Sequence, residues 1–456
     1  MAPIRRSLSH LVWFPLILGA ATGCSGAEAD GLDGAGAGSD GAPGGASTGG
    51  ASGSGGAATG GAASTGGAAS GGSATGGSDT GGSGGTSSGG SSGGTGGLPN
   101  LPDNGCNVRL DDEPVGYASM DGGTVGGGDV EPILVTTEEQ LAGYLADSSP
   151  RVLYVMKDMD FRTANRGGVV VCVDNTTCDN GSGVQIDNPR VSATCDSGEH
   201  SGTSYRYEQR LTVKSNKTVI GVGDGDGAAI RGAGLSLSGS SQIILRNLRI
   251  HDINPHLVEA GDGITLENSK HIWLDHLRLE QISDGYVDIG SASLTSLDDY
   301  ITLSYVHFNG RTAYQCGGRH SYVNFIDNAR VTYHHNWFDN GNGRNPKIGG
   351  EPSKVHLFNN YWLNIGYFCI TAQVDAEARV ESNYFENSSR PHWRQTDGNG
   401  TAGIAIDGGN VYAGTTSATY RDTGGTVFSV PYAYTKQSAA DAKAATMKCS
   451  GPQPIR

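Results

Sequence analysis

The run IILRNLRI at residues 243–250 returns as IWLDHLRL at 272–279, ITLSYVHF at 301–308, VTYHHNWF at 331–338, VHLFNNYW at 355–362 and VESNYF at 380–385. Successive starts lie 29, 29, 30, 24 and 25 residues apart. Apolar residues largely alternate within each run, as in a strand with one buried face, and Asn, Gly, Asp and Ser fill the intervals. No long amphipathic helix interrupts them. A period in the range of about 20–50 residues marks a solenoid, and the hairpin spacing of a sandwich or propeller is missing. The fold class predicted is therefore all-β, a right-handed parallel β-helix with one coil per repeat. Coils stack about 4.8 Å apart, so equivalent residues become neighbours. Asn247, Asn336, Asn359, Asn360 and Asn383 sit at or near matching positions and predict hydrogen-bonded ladders at a corner.

Ahead of the repeats the chain changes character twice. Arg5 and Arg6 precede an apolar run from Leu11 to Ala21 that is too short to span a bilayer, so residues 1–23 read as an export signal. The run closes on Ala-Ala-Thr-Gly-Cys, and small residues before Cys24 resemble a bacterial lipobox. Acylation of Cys24 is expected as a lipid anchor, with no transmembrane span, giving a secreted or cell-surface protein. From Gly31 to Gly97 the chain is almost only Gly, Ser, Ala and Thr, which cannot bury enough apolar surface to offset chain entropy. Residues 24–100 thus form a flexible linker; a Gly/Ser coil of about 70 residues spans roughly 42–50 Å. Residues 101–456 form one β-helix domain, expected to be a monomer and to fold without the linker.

Eight cysteines stand at 24, 106, 172, 178, 195, 316, 369 and 449. Acylation of Cys24 leaves seven in an oxidising compartment, so one thiol has no intramolecular partner. Cys172, Cys178 and Cys195 are close enough in sequence to suit a local disulfide, and no histidine spacing matches a zinc site. The net charge of −15 argues against nucleic acid and anionic membrane as partners. It opposes an anionic polysaccharide equally, unless a bound divalent cation reverses the sign locally.

Such a cation has candidate ligands. Asp262 lies in GDGITL, and Asp284 with Asp288 in SDGYVDI. Asp262 and Asp284 are 22 residues apart, close to one coil, and Asp288 follows across a short strand. Each aspartate alone reads as a turn residue beside glycine, but three converging carboxylates are costly without a cation, and hard oxygen ligands select Ca2+. Arg311 follows the third repeat, and Arg344 with Lys347 in NGRNPKIGG follows the fourth. In the β-helix register they lie one and about two coils beyond the acidic cluster, on the same side.

Over most of residues 115–450 the chain resembles polysaccharide lyase family one, the pectate and pectin lyases. The resemblance is carried by GYASMDGGTVGGG with LVTTEEQL, by NKTVIGVGDGDGAAIRGAGL, by IWLDH, and by VTYHHNWFDN and VHLFNNYW. It implies that Asp262, Asp284 and Asp288 bind calcium as in pectate lyases, a set that pectin lyases lack, and that Arg344 abstracts the proton. Arg311 stands where the family has a substrate-binding lysine. Gly349 replaces the second active-site arginine, with Lys347 offering a nearby charge for substrate.

The activity implied is calcium-dependent eliminative cleavage of polygalacturonate. The C5 proton beside an ionised carboxylate is weakly acidic, and calcium would neutralise that carboxylate. A free guanidinium titrates far above neutrality, so an arginine base needs positive neighbours and predicts activity rising into alkaline pH. His276, His334 and His335 lie inside strand repeats and read as ladder or corner residues. The competing readings are a pectin lyase, a non-catalytic pectin-binding surface protein, and a polygalacturonase. The last would use paired carboxylates such as Asp298 and Asp299, but the Gly-His-Gly and Arg-Ile-Lys segments expected of it are absent.

Overall fold

Inward-pointing side chains of the repeats fall into register once the coils stack. In the computed structural model, Ile243, Ile272, Ile301, Val331, Val355 and Ala378 form one column of a ten-stranded parallel sheet. The structure describes residues 104–456 except 165–167, 173–177, 180–183, 187–197, 203, 208–209, 224–226, 254, 256–260, 291–295, 313–314, 351, 395–402, 407, 416–422 and 426. The export signal, Cys24, the linker and Cys195 lie outside the described residues.

Each full coil contributes one strand to each of three parallel sheets, and partial coils at the ends bring these, among the described residues, to ten, nine and eight strands. One coil runs through Ser241–Arg246, Leu248–Ile253 and Ile264–Leu266 in turn before the next begins at Lys270–Asp275. The parallel β-helix expected from the period is therefore the fold. One register differs. Val380 pairs with Leu357, and Ala378 occupies the column position of Val355, so the sixth repeat starts two residues earlier than VESNYF suggests. A small alanine at the first inward position hides that start in the sequence.

The corner between the ten- and nine-stranded sheets takes one residue in the left-handed region. Asn247, His276, Tyr305, His335, Asn359 and Ser382 hold it in six consecutive coils, with φ of 50° to 61°. Asparagine and histidine tolerate that conformation better than most side chains. The rings of His276, Tyr305 and His335 stack at 4.8 and 4.7 Å, so these histidines are corner residues, as their place in the repeats predicts.

The asparagine ladder stands one residue further on. Asn336 Oδ1 accepts from Val306 N (2.9 Å), Asn360 Oδ1 from Asn336 N (3.0 Å), Asn383 Oδ1 from Asn360 N (2.8 Å) and Asn410 Oδ1 from Asn383 N (2.8 Å). Asn247 and Asn359 belong to the left-handed column instead. Asn360 is wholly buried and its amide also donates to the Tyr333 and Phe358 carbonyls. Asn360→Ala would orphan several buried groups, each at about 1–3 kcal/mol. A loss of about 3 kcal/mol in urea unfolding is expected, well above that of Asn410→Ala at the ladder's end. Equal losses would mean that the ladder contributes no cooperative stability.

Inside, Phe308, Phe338, Trp362 and Phe385 stack coil upon coil at 4.7, 4.9 and 4.6 Å. Offset stacks of this kind add to the burial of large rings. The first coil is closed by helix α1, Glu138–Ala146, whose Leu141 and Leu145 enter the core and whose first turn is capped by Thr137 accepting from Gln140 N. The GYASM block lies across the outer face of the ten-stranded sheet. Tyr117 N and Ala118 N donate to the hydroxyls of Thr332 (3.0 Å) and Thr302 (3.1 Å). Gly116, at φ 104°, sits where a Cβ would come within 2.6 Å of Thr332 Oγ1.

The ends of the domain meet. Cys106 is bonded to Cys449 at the end of helix α2, Ala439–Cys449. Val108 N donates to Pro454 O and Arg456 N to Val108 O, both at 2.8 Å. Val108 and Ile455 share an apolar cluster with Tyr154, Ile220 and Val222. The backbones of Cys172 and Cys178 face each other across an antiparallel pair. Cys369 is a free, buried thiol.

Candidate active site

The eight-stranded sheet carries Thr265, Asp288, Phe325, Lys347, Thr371 and Trp393 in one outward column. Ile264, Ile289, Ile326 and Ile348 point the other way into the core. Asp262 precedes its strand, and its Oδ1 accepts from Gly285 N at 3.1 Å, beside Asp284 on the next coil. Asp284 N in turn donates to Gly261 O at 3.4 Å. The spacing of the three aspartates therefore brings them together, as expected.

Asp288 records that proximity. Burial, then the negative charges of Asp262 and Asp284, push its carboxyl well above the ordinary range, while Arg344 pulls the other way. Phe325 N donates to Asp288 Oδ1 at 3.0 Å. Gly285 makes room for this carboxylate: a Cβ there would lie 2.2 Å from Asp288 Oδ1. Among the described residues no three His, Cys, Asp or Glu side chains close around one point in ligand geometry. The donors nonetheless fit calcium chemically, being hard oxygens whose mutual repulsion a divalent cation would relieve.

Arg344 occupies the turn into strand Lys347–Gly349, with φ 55°. Its guanidinium lies 4.9 Å from the Tyr322 ring centroid and 5.7 Å from that of Phe325. An arginine at positive φ, stacked on two rings, is held in one orientation at some backbone cost. Lys347 stands next to Phe325 in the column, its Nζ 6.0 Å from that ring. A Cβ at Gly349 would meet Gln373 at 3.5 Å and Ile326 O at 3.9 Å, ordinary van der Waals contact. Arg311 is directed elsewhere: its guanidinium pairs with Asp339, and its N donates to Asn309 Oδ1 at 3.3 Å.

Two residues escaped the sequence reading. Arg210 lies 3.3 Å from Asp262 Oδ2 and donates to Thr265 Oγ1 at 2.9 Å, while Thr265 donates to Asp262 Oδ2 at 2.7 Å. It precedes the first repeat, where no spacing marks it. His320 donates from Nε2 to the Asp284 carbonyl at 2.8 Å, accepts from Gln315 at Nδ1 and stacks on Tyr286 at 4.5 Å. Burial lowers it to about 4, so the ring is neutral and positions Asp284. It sits in an irregular turn outside the repeats. Asp298 and Asp299 are not a hydrolytic pair. Asp298 is buried at the start of its strand, accepting from Ser269 N at 2.5 Å, and Asp299 pairs with Arg330.

Residues 109–453 match the pectate lyase family. The chain belongs to that family. A probable pectin lyase F-2 of Aspergillus terreus is 29% identical over 296 residues, covering 61% of this chain and 58% of that protein. A probable pectin lyase F of Emericella nidulans is 30% identical over 318 residues, covering 67% and 64%. The chain thus spans less than two thirds of the length of these two relatives. Among solved structures, a pectate lyase from Bacillus sp. N165 in complex with trigalacturonate is 25% identical, with TM-score 0.52 over 74% of this chain and 98% of that one. Pectate lyase II from Xanthomonas campestris, 22% identical at TM-score 0.51 over the same shares, supports the pectate lyase fold alone.

Proposed function

We propose that the protein is an exported, calcium-dependent pectate lyase that cleaves α-1,4-polygalacturonate by β-elimination, releasing 4,5-unsaturated oligogalacturonides. The observation that carries this reading is the gathering of Asp262, Asp284 and Asp288 on one outward face with Arg344 close enough to act on Asp288's charge. A Bacillus relative that binds trigalacturonate supports a uronate substrate.

Asp262, Asp284 and Asp288 would hold the ion, and Lys347 would attract the anionic chain. Calcium bound there would neutralise the substrate carboxylate and stabilise charge developing beside C5. Arg344 would take the C5 proton; the electron pair released forms the C4–C5 double bond as the C4–O4 bond breaks, and the leaving oxygen gains a proton from solvent. The rings of Tyr322 and Phe325 keep the guanidinium aimed. His320 holds the Asp284 backbone in place. The Cys106–Cys449 disulfide is in keeping with export to an oxidising compartment. Among the described residues no helix is long and apolar enough to cross a membrane.

A second reading, a pectin lyase acting on methyl-esterified chains without a cation, is favoured by Arg210, which already offers Asp262 a positive partner. The experiment that separates them is ultraviolet absorbance of the unsaturated product from polygalacturonate and from highly esterified pectin, with and without chelator. Product from polygalacturonate that vanishes with chelator is the expected result. Product from pectin that survives chelation would establish the second reading, and reducing ends without absorbance would make the protein a hydrolase.

A further inference from the structure

The arrangement around Arg344 recurs two coils further along. Arg390 also sits at a turn into a strand of the eight-stranded sheet, His392–Arg394, and also has positive φ, 39°. The backbone makes the correspondence explicit: Asn324 N donates to Arg344 O at 2.7 Å, and Cys369 N to Arg390 O at 3.0 Å. Arg390 too is stacked, its guanidinium 4.7 Å from the centroids of both Tyr367 and Trp393. Trp393 stands in the column of Asp288 and Lys347, two strands past Lys347. Tyr367, Arg390 and Trp393 are each only partly buried.

Two coils separate the arginines by about 10 Å along the solenoid, too far for both to grip one sugar ring. A guanidinium held between aromatic rings keeps its plane fixed, so a carboxylate can add to or exchange with the partners Arg390 already has, and the partly open indole offers a face to a pyranose. We propose that Arg390, held between Tyr367 and Trp393, forms a distal subsite that binds a uronate unit beyond the one nearest Arg344. The subsite makes the enzyme favour long chains. This inference rests on the lyase reading of the site but is tested separately.

With the full-length protein, kcat/KM is measured on galacturonate trimer and octamer for wild type, Arg390→Ala, Arg390→Lys and Trp393→Ala, and octamer binding is measured by calorimetry in the same set. The octamer-to-trimer ratio of kcat/KM is expected to fall by about tenfold in Arg390→Ala and Trp393→Ala, with octamer Kd rising by the same factor. Arg390→Lys keeps the charge without the planar fork and should fall between, with circular dichroism unchanged. A ratio and a Kd equal to wild type in all three variants would overturn the subsite. Failure of the lyase reading looks different: wild type makes no unsaturated product, and the octamer Kd alone then decides. Weaker binding by the variants still supports the subsite, whereas equal binding, or none by wild type, refutes it.

Discussion

Arg344→Lys is expected to leave less than about a tenth of the wild-type kcat at every calcium concentration, a loss above about 1.4 kcal/mol of transition-state stabilisation. Asp284→Asn and Asp288→Asn, by contrast, should recover part of their rate as calcium is raised. The difference follows from what each group does. Under the proposed mechanism the aspartates hold the ion, and a weakened site can be refilled by mass action. Arg344 moves the proton, and no calcium concentration restores it. Lysine keeps the charge but not the planar group that lies against Tyr322 and Phe325. The measurement is initial rate against calcium concentration for each variant, with circular dichroism as a folding control. A second readout does not depend on turnover. Asp288 is crowded by Asp262 and Asp284, so with chelator Asp288→Asn should melt no lower than wild type, and calcium should raise its Tm less. Retention of more than a tenth of kcat by Arg344→Lys would remove Arg344 as the base and turn attention to Lys347, next to Phe325 in the same column.

The second large effect is on stability. Cys106 and Cys449 are 343 residues apart, and in the chain-entropy account a loop of that size contributes about 5–6 kcal/mol by restricting the unfolded chain. The Cys106→Ser/Cys449→Ser variant should therefore melt about 7 °C lower, given the unfolding entropy of a domain of this length. Loss should begin at the paired termini. Amides of Val108 and Arg456, which bond across to Pro454 and Val108, should exchange faster than those of the central coils. The core columns from Ile243 to Val355 do not involve the disulfide, so the double variant should still fold. A melting curve that coincides with wild type would show that the terminal contacts alone hold the ends.

Much of this was legible because a solenoid writes its architecture as a period. Alternating apolar residues at nearly constant spacing identify the coils, and the same arithmetic places Asp262, Asp284 and Asp288 on neighbouring coils. The reading weakened where the side chain carried little signal. Ala378 is too small to mark an inward position, which is why the sixth repeat is offset by two residues. Asn247 and Asn359 resemble ladder residues in sequence, yet a one-residue shift makes them left-handed corners. Contacts made between coils by residues outside the strands left no trace. Arg210 reaches Asp262, Arg311 turns to Asp339, and His320 props Asp284 from an irregular turn. The Cys106–Cys449 pairing was equally hidden, since no spacing rule relates the two ends of a folded domain.

That pairing also decides how the domain bears load. A solenoid pulled from one end can peel coil by coil, because each coil holds only its neighbours. Here any pull transmitted through the residues before Asn104 reaches Cys106 almost at once and crosses a covalent bond to Cys449. Tension then passes into helix α2, while the first coil lies off the line of force. An enzyme held at its amino end while working along a fixed polymer would be dragged as a unit, with its coils still stacked.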